Sequence, residues 1–352
     1  MAPLRWAVVL SSSAIASAEQ LLNGVLFSAF SAFSARKVRL TLKTAVVALG
    51  GNALARSGEP ATIANQFRHT RSSLAPIVEL AREGWGIALV HGNGPQVGDE
   101  LTRNEMGQGA VEPLPLGVLV AATAGWIGYM IQQSLQNALN KAGIRRDVVT
   151  LITQTLVSPD DPQLKTATKP IGHAVPPERL ERLQASGAPV AQDARGNWRR
   201  MASSPSPLGM IESALVKRLV DEGIIVVAGG GGGPPVYQHP TLGLEGIDAV
   251  VDKDRLAAVL ASELQADVLM ILTDVDAVYA DYGKPSARAL DRVTLAETEQ
   301  LIVTGHLGKG SMEPKVRAAA EFVRRGGERA VIAHLSSGLA ALHGSAGTSI
   351  VR

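Results

Sequence analysis

The chain has 352 residues, enough for one large α/β domain or two smaller ones with a full core. Apolar residues make up 46% and aromatics 4%, so the core is mainly aliphatic, as in sheets covered by helices on both faces. The net charge is +2 with scattered basic residues, which excludes a basic nucleic-acid-binding stripe; the lack of cysteine excludes disulfides, a thiolate nucleophile and cysteine-ligated metal.

Residues 1–43 are rich in Ser and Ala, with Glu19 as their one acid. Arg5 followed by Trp6 to Ile15 and Ala16-Ser17-Ala18 resembles a secretory signal, while the longer acid-poor composition resembles an organellar transit peptide. An upstream extension from a misplaced start codon fits equally, and the segment is set aside from the fold. No later apolar run reaches the ~18–20 residues needed to span a bilayer.

The folded part is expected over residues 44–352. Thr44 to Leu49 is a short buried strand that empties into Gly50-Gly51-Asn52-Ala53-Leu54, where backbone N–H groups can turn towards an anion. Ile63 to Arg82 has helical spacing with a glycine stop at Gly84. A second strand, Gly86 to Val90, runs into His91-Gly92-Asn93-Gly94-Pro95-Gln96-Val97-Gly98 and repeats the first design. The C-terminal ends of neighbouring parallel strands form the crevice where ligands bind, so two such loops reinforce each other. Pro113 to Leu139 reads as an apolar helix, and Gly125-Trp126-Ile127-Gly128-Tyr129 at its centre suits close packing in the core or at a subunit contact. Asp147 to Ile152 is a further strand.

From Ser158 to Pro207 prolines and charges are dense, which reads as an inserted excursion or small lid, with Lys169 in a stiff turn. Ile224 to Ala228 is a strand breaking into five glycines, Gly229 to Gly233; after Asp252-Lys253-Asp254 come a helix through Leu264 and a strand from Val268 to Leu272 that ends in Thr273-Asp274. A helix is expected over Leu295 to Val303. The glycine-rich turn up to Pro314-Lys315, ahead of a helical run from Val316 to Val323, looks like a phosphate-facing helix start. Ala330 to Ala333 is a strand.

The residues gathered at these strand ends are glycines, Asn52, Asn93, Lys253, Asp254, Asp274 and Lys315. No Walker A, protein-kinase, HExxH or GxSxG pattern is present. The inventory suits phosphoryl transfer, which needs alignment and donors aimed at the charge on the transferring group. Lysines supply compact positive charge there, and a carboxylate between them fixes their position.

Seven segments in order resemble carbamate kinase of the amino acid kinase family: Ala48 to Leu54, His91 to Gly98, Thr168-Lys169-Pro170-Ile171-Gly172, Gly229 to Gly232 with Pro235-Val236, Asp252-Lys253-Asp254, Leu272 to Val275, and Gly310-Ser311-Met312 through Val316. The likeness runs from about Val46 to Ile350. It implies a three-layer αβα sandwich around a mainly parallel sheet with a small protruding subdomain at about 158–207, and reversible transfer of phosphate between ATP and carbamate to give ADP and carbamoyl phosphate. By the same resemblance Gly50, Gly51, Asn52, Gly92, Asn93 and Gly94 would hold carbamate and the transferring group. Lys253 and Lys315 would neutralise phosphate, Asp254 would orient them, and Lys169 would reach in from the subdomain. Gly229, Gly230, Gly231, Thr273, Asp274, Val275, Tyr279, Gly310, Ser311, Met312 and Lys315 would line the ATP/ADP site, with Mg²⁺ held mainly through nucleotide phosphates and no protein metal site. The expected partners are these small molecules and a second copy in a homodimer, with neither nucleic acid nor membrane, in the cytoplasm or, given a genuine transit peptide, an organelle matrix. Two places depart from the family pattern: His173-Ala174-Val175 after the lysine turn, and Gly233-Pro234-Pro235 after the glycine run.

Overall fold

A computed structural model of the chain describes residues 42–55, 59–193, 196–307 and 312–352. The reading of residues 1–43 therefore lies almost wholly outside the described residues. The main sheet has eight strands: β1 (Thr44–Leu49), β2 (Gly86–His91), β3 (Val148–Thr150), β4 (Ile225–Val227), β5 (Val268–Thr273), β6 (Arg292–Thr294), β7 (Arg329–His334) and β8 (Thr348–Val351). Their spatial order is β6-β8-β7-β5-β1-β2-β4-β3. From β7 to β3 all pairs are parallel, whereas β8 lies antiparallel to β7 and carries β6 with it.

The helices are α1 (Ile63–Ser73), α2 (Ala75–Arg82), α3 (Gly94–Gly107), α4 (Leu116–Lys141), α5 (Pro177–Ala185), α6 (Ser213–Asp221), α7 (Lys253–Leu264), α8 (Leu295–Val303), α9 (Met312–Arg324) and α10 (Gly338–Leu342). Alternation along the central strands separates two cores. Val46, Ala48, Leu269 and Ile271 meet Val216 of α6, Leu260 of α7 and Phe322 of α9. Ala45, Val47, Met270 and Leu272 meet Leu80 of α2, Ile131 of α4 and Leu342 of α10. Strands buried on both faces need no polar side, which is why they read as unbroken aliphatic runs. The result is a three-layer sandwich, and the ends of β1, β2 and β5 converge where the glycine loops begin.

Two local differences from the sequence reading have simple causes. The helix expected from Ile63 to Arg82 is two helices, because Pro76 in the first turn of α2 has no N–H to continue the ladder and the chain breaks at Leu74. The strand expected from Asp147 to Ile152 shortens to β3, which is paired on one side, by β4, among the described residues.

Within 158–207 the chain builds a three-stranded antiparallel sheet from Lys169–Ala174, Trp198–Ala202 and Val190–Gln192, with α5 between the first and last in sequence. Ile171 and Ala202 of this sheet pack with Val97 of α3, Leu119 and Val120 of α4, and Val250. Gly98 of α3 and Gly172 make the closest approach: a Cβ placed on Gly98 would stand 2.0 Å from the Gly172 Cα. Two backbones in such contact leave no room for a side chain on either, and Gly172 also has φ of 71°. Charge fastens the same seam through Arg179 to Glu105 at 2.8 Å, and the His173 ring lies 3.5 Å from the Asp99 carboxylate. The departure at His173 thus faces α3.

Candidate active site

Asp252, Lys253 and Asp254 open α7. Asp252 Oδ1 accepts from the N–H groups of Asp254 (2.9 Å) and Arg255 (3.1 Å), capping the helix, and an anion at this end also complements the helix dipole. The stem of Lys253 lies over Gly92: a Cβ there would be 3.2 Å from Lys253 Cδ and 3.7 Å from Gly51 N. Gly92 thus has the Lys253 stem on one side and the first glycine loop on another. Its ammonium lies 2.5 Å from Asp254 Oδ1, while Lys315, from the first turn of α9, reaches Asp254 Oδ2 at 3.2 Å. Asp254 is 3% exposed, so both its oxygens are consumed by ammonium groups inside the protein. Burial draws the Lys253 pKa below its ordinary value, Asp254 opposes that and the neighbouring Lys315 adds to it.

The structure brings Lys169 to the same helix start, where its Nζ lies 2.5 Å from Asp252 Oδ2. Burial raises the Asp252 pKa, but the Lys169 and Lys253 ammonium groups outweigh it and hold the carboxyl well below the usual range.

Gly50 donates its N–H to Leu272 O at 2.9 Å, and a Cβ on Gly50 would lie 3.6 Å from Thr273 Cα, so the first loop sits against the end of β5. Asn93, buried, donates from its side chain to Thr123 Oγ1 of α4 at 2.9 Å. The glycine run packs on this second loop. A Cβ on Gly230 would be 2.7 Å from His91 Nε2, and one on Gly231 2.2 Å from Asn93 Nδ2. Gly230 and Gly231 are therefore glycine because His91 and Asn93 press against them, and Gly231 adjoins Asn93, one of the residues assigned to carbamate. The departure at Gly233 follows the same rule, since a Cβ there would meet Thr155 Oγ1 at 2.5 Å.

On the side of β5, Thr273 is buried and donates to Asp274 Oδ1 at 3.0 Å, with Val275 following in the turn. Tyr279 stands on a hairpin of Val278–Ala280 with Arg288–Leu290, its hydroxyl 3.0 Å from Asp276 Oδ2 and its ring edge-on to Tyr282. The hydrogen bond to Asp276 raises the Tyr279 pKa. Met312 packs on the core at the start of α9. Gly310, Ser311 and the side chain of Asn52 lie outside the described residues. A groove of about 990 Å³ runs along α7 and α9 past Arg255, Arg317 and Arg324, but Lys253 and Lys315 do not line it. Its Arg317 and Arg324 are neutralised by Glu313, Glu299 and Glu321, so it offers an anion little.

The arrangement can hold a phosphoryl group. Two closely approached glycine loops, two ammonium groups fixed by one carboxylate, and a third cation tied to the same helix start supply space, positioning and charge without a nucleophile. Residues 43–334 match the model of the amino acid kinase family. The carbamate kinase of Pyrococcus horikoshii is 43% identical over 308 residues, spanning 87% of this chain and 98% of that protein. The chain belongs to the amino acid kinase family, among the carbamate kinases. It is a phosphotransferase. The structure of the Giardia lamblia carbamate kinase bound to AMP-PNP superposes with a TM-score of 0.81 at 37% identity, covering 88% of this chain and 98% of the other. The same enzyme bound to citric acid gives 0.83 at 36% identity, with the same shares covered.

Sequence reasoning assigned Asp252 no role of its own within the triplet; the structure makes it the cap of α7 and the partner of Lys169. It also passed over His91, which is 1% exposed beneath Gly230, with Nδ1 3.1 Å from Gly92 O. Its place ahead of Gly92-Asn93-Gly94 was the available signal.

Burial holds the His91 pKa down at about 4, against an ordinary 6.5. Between those values the unfolded chain binds the proton and the folded chain does not, so stability is lost as pH falls from about 6.5 to 4, by up to about 3 kcal/mol. Urea unfolding from pH 7 to 4.5 should show this fall, and His91→Asn should remove most of the part above pH 5. An unchanged slope in the variant would show that His91 is not the group responsible.

Proposed function

We propose that the chain catalyses reversible phosphoryl transfer between ATP and carbamate, giving ADP and carbamoyl phosphate. The observation that carries this reading is the meeting of Lys253, Asp254 and Lys315 beside Gly51 and Gly92 in a chain whose carbamate kinase relatives match it over nearly their full length. Gly50, Gly51, Gly92, Asn93 and Gly94 hold carbamate, and the two ammonium groups meet the charge on the transferring phosphoryl group. Asp254 fixes the separation of those ammonium groups, so no reorganisation is needed at the moment of transfer. ATP lies towards Thr273 to Tyr279 and Met312. Magnesium, when bound, would neutralise phosphate charge. Asp254 has both oxygens occupied by ammonium groups, so the ion would be held mainly through the nucleotide phosphates.

The reaction serves ATP formation at the end of arginine or related ureido breakdown, in the cytoplasm. No helix among the described residues is long and apolar enough to cross a membrane. The functional unit is a homodimer: Val118 and Tyr129 of α4 and Ile152 beyond the edge strand β3 are exposed apolar groups on neighbouring elements. Gly128 lets α4 close on that strand, since a Cβ there would lie 2.2 Å from Thr150 Cγ2.

ATP made from ADP and carbamoyl phosphate should be detected in a coupled assay, with no transfer from ATP to acetylglutamate or aspartate. Lys253→Ala and Lys315→Ala should each lower kcat by roughly 10²–10³-fold while melting cooperatively. Full activity in either would remove the assigned role. Nucleotide binding without any transfer would support a regulatory homologue instead. Sedimentation should give twice the 36.8 kDa chain mass, and Tyr129→Asp should shift it to the monomer; a monomeric native chain would refute the dimer.

A further inference from the structure

Asp252 does two jobs with one carboxylate. Its Oδ1 closes the first turn of α7, which carries Lys253 and Asp254; its Oδ2 takes the ammonium of Lys169, a residue 83 positions earlier on the three-stranded sheet. Three residues beyond Lys169 on the same strand, Gly172 rests backbone to backbone on Gly98 in the first turns of α3. That strand is thus anchored on two helix starts at once, α3 from the second glycine loop and α7 from the charged triplet. A third tie lies alongside, the Val250 N–H to Ser203 O at 3.0 Å, just past the sheet's middle strand.

We propose that Asp252 is a positioning residue that couples the three-stranded sheet to the reaction site, holding Lys169 in register with Lys253. The coupling is electrostatic and directional. The cap needs one oxygen acceptor, which an amide also supplies, whereas holding an ammonium against solvent needs the charge. Neutralising Asp252 therefore separates the two jobs: the helix start survives and the sheet loses its anchor on α7. Gly98 and Gly172 still seat the strand on α3, so the expected change is a loosening of the Lys169 end of the sheet rather than its unfolding. This inference rests on the phosphoryl-transfer reading only for its kinetic consequence.

The test uses the full chain with Asp252→Asn, and Asp252→Ala for comparison. In Asp252→Asn, melting should stay within a few degrees of the parent. Amide exchange in Lys169–Ala174, measured without ligand, should quicken by about tenfold or more while that of α7 is unchanged. The kcat for ATP formation from carbamoyl phosphate should fall by about tenfold, with the KM for ADP little altered. In a Lys169→Ala background the same substitution should cost clearly less, because only its direct action on the neighbouring Lys253 remains. Asp252→Ala should in addition quicken exchange at the start of α7. Unchanged exchange in Lys169–Ala174 would overturn the proposal, as would an equal loss of kcat in both backgrounds. Faster exchange in a chain with no activity towards carbamoyl phosphate would leave the coupling standing and refute the proposed reaction.

Discussion

A buried carboxylate shared by two ammonium groups governs the site. Asp254 is fully enclosed, and an enclosed charge is costly unless its partners are placed well. Lys253 comes from its own helix and Lys315 from α9, so satisfying Asp254 fixes the starts of α7 and α9 relative to each other. Those two helices also pack together in one core, through Leu260 and Phe322 among others. The apolar packing sets their approach, and the carboxylate sets where along that approach their first turns stop.

Close backbone contact is the second constraint. Lys253 can lie across Gly92 because no side chain intervenes, and Gly230 and Gly231 admit the His91 and Asn93 side chains for the same reason. Gly98 and Gly172 let the three-stranded sheet touch α3 directly. Glycine here provides proximity as much as flexibility: a methyl group at Gly98, Gly172, Gly230 or Gly231 would collide with its neighbour, and one at Gly92 would crowd the Lys253 stem.

Much of this architecture is legible in the chain itself. β1 falls on the expected Thr44 to Leu49 and β5 on Val268 to Thr273, because a strand covered on both faces must be aliphatic throughout. The helix from Leu295 to Val303 is equally plain, with Thr294 and Glu297 forming a capping box. Loops at the ends of neighbouring parallel strands converge, so the pairing of the Gly51 and Gly92 loops is legible in strand and loop order, whereas Lys253 at a helix start joins them only through the family resemblance. What stays hidden is pairing between distant segments. Nothing local in Thr168-Lys169-Pro170 says that its lysine meets Asp252, and an aspartate at a helix start is fully explained by capping. The contact of Gly98 with Gly172 is likewise a property of two surfaces. The small sheet hides for a related reason: its strands are short and partly exposed, so they carry little hydrophobic period.

These constraints converge on the claim that phosphoryl transfer depends on the fixed pair of ammonium groups around Asp254. Steady-state turnover of carbamoyl phosphate and ADP by Asp254→Asn, measured beside its thermal unfolding, tests that claim most directly. The amide fills the same space but cannot balance two ammonium groups. The account predicts a fall in kcat of roughly 10²-fold or more in a chain that still melts cooperatively, with some stability lost. A folded Asp254→Asn chain that turns over at the parent rate would contradict it.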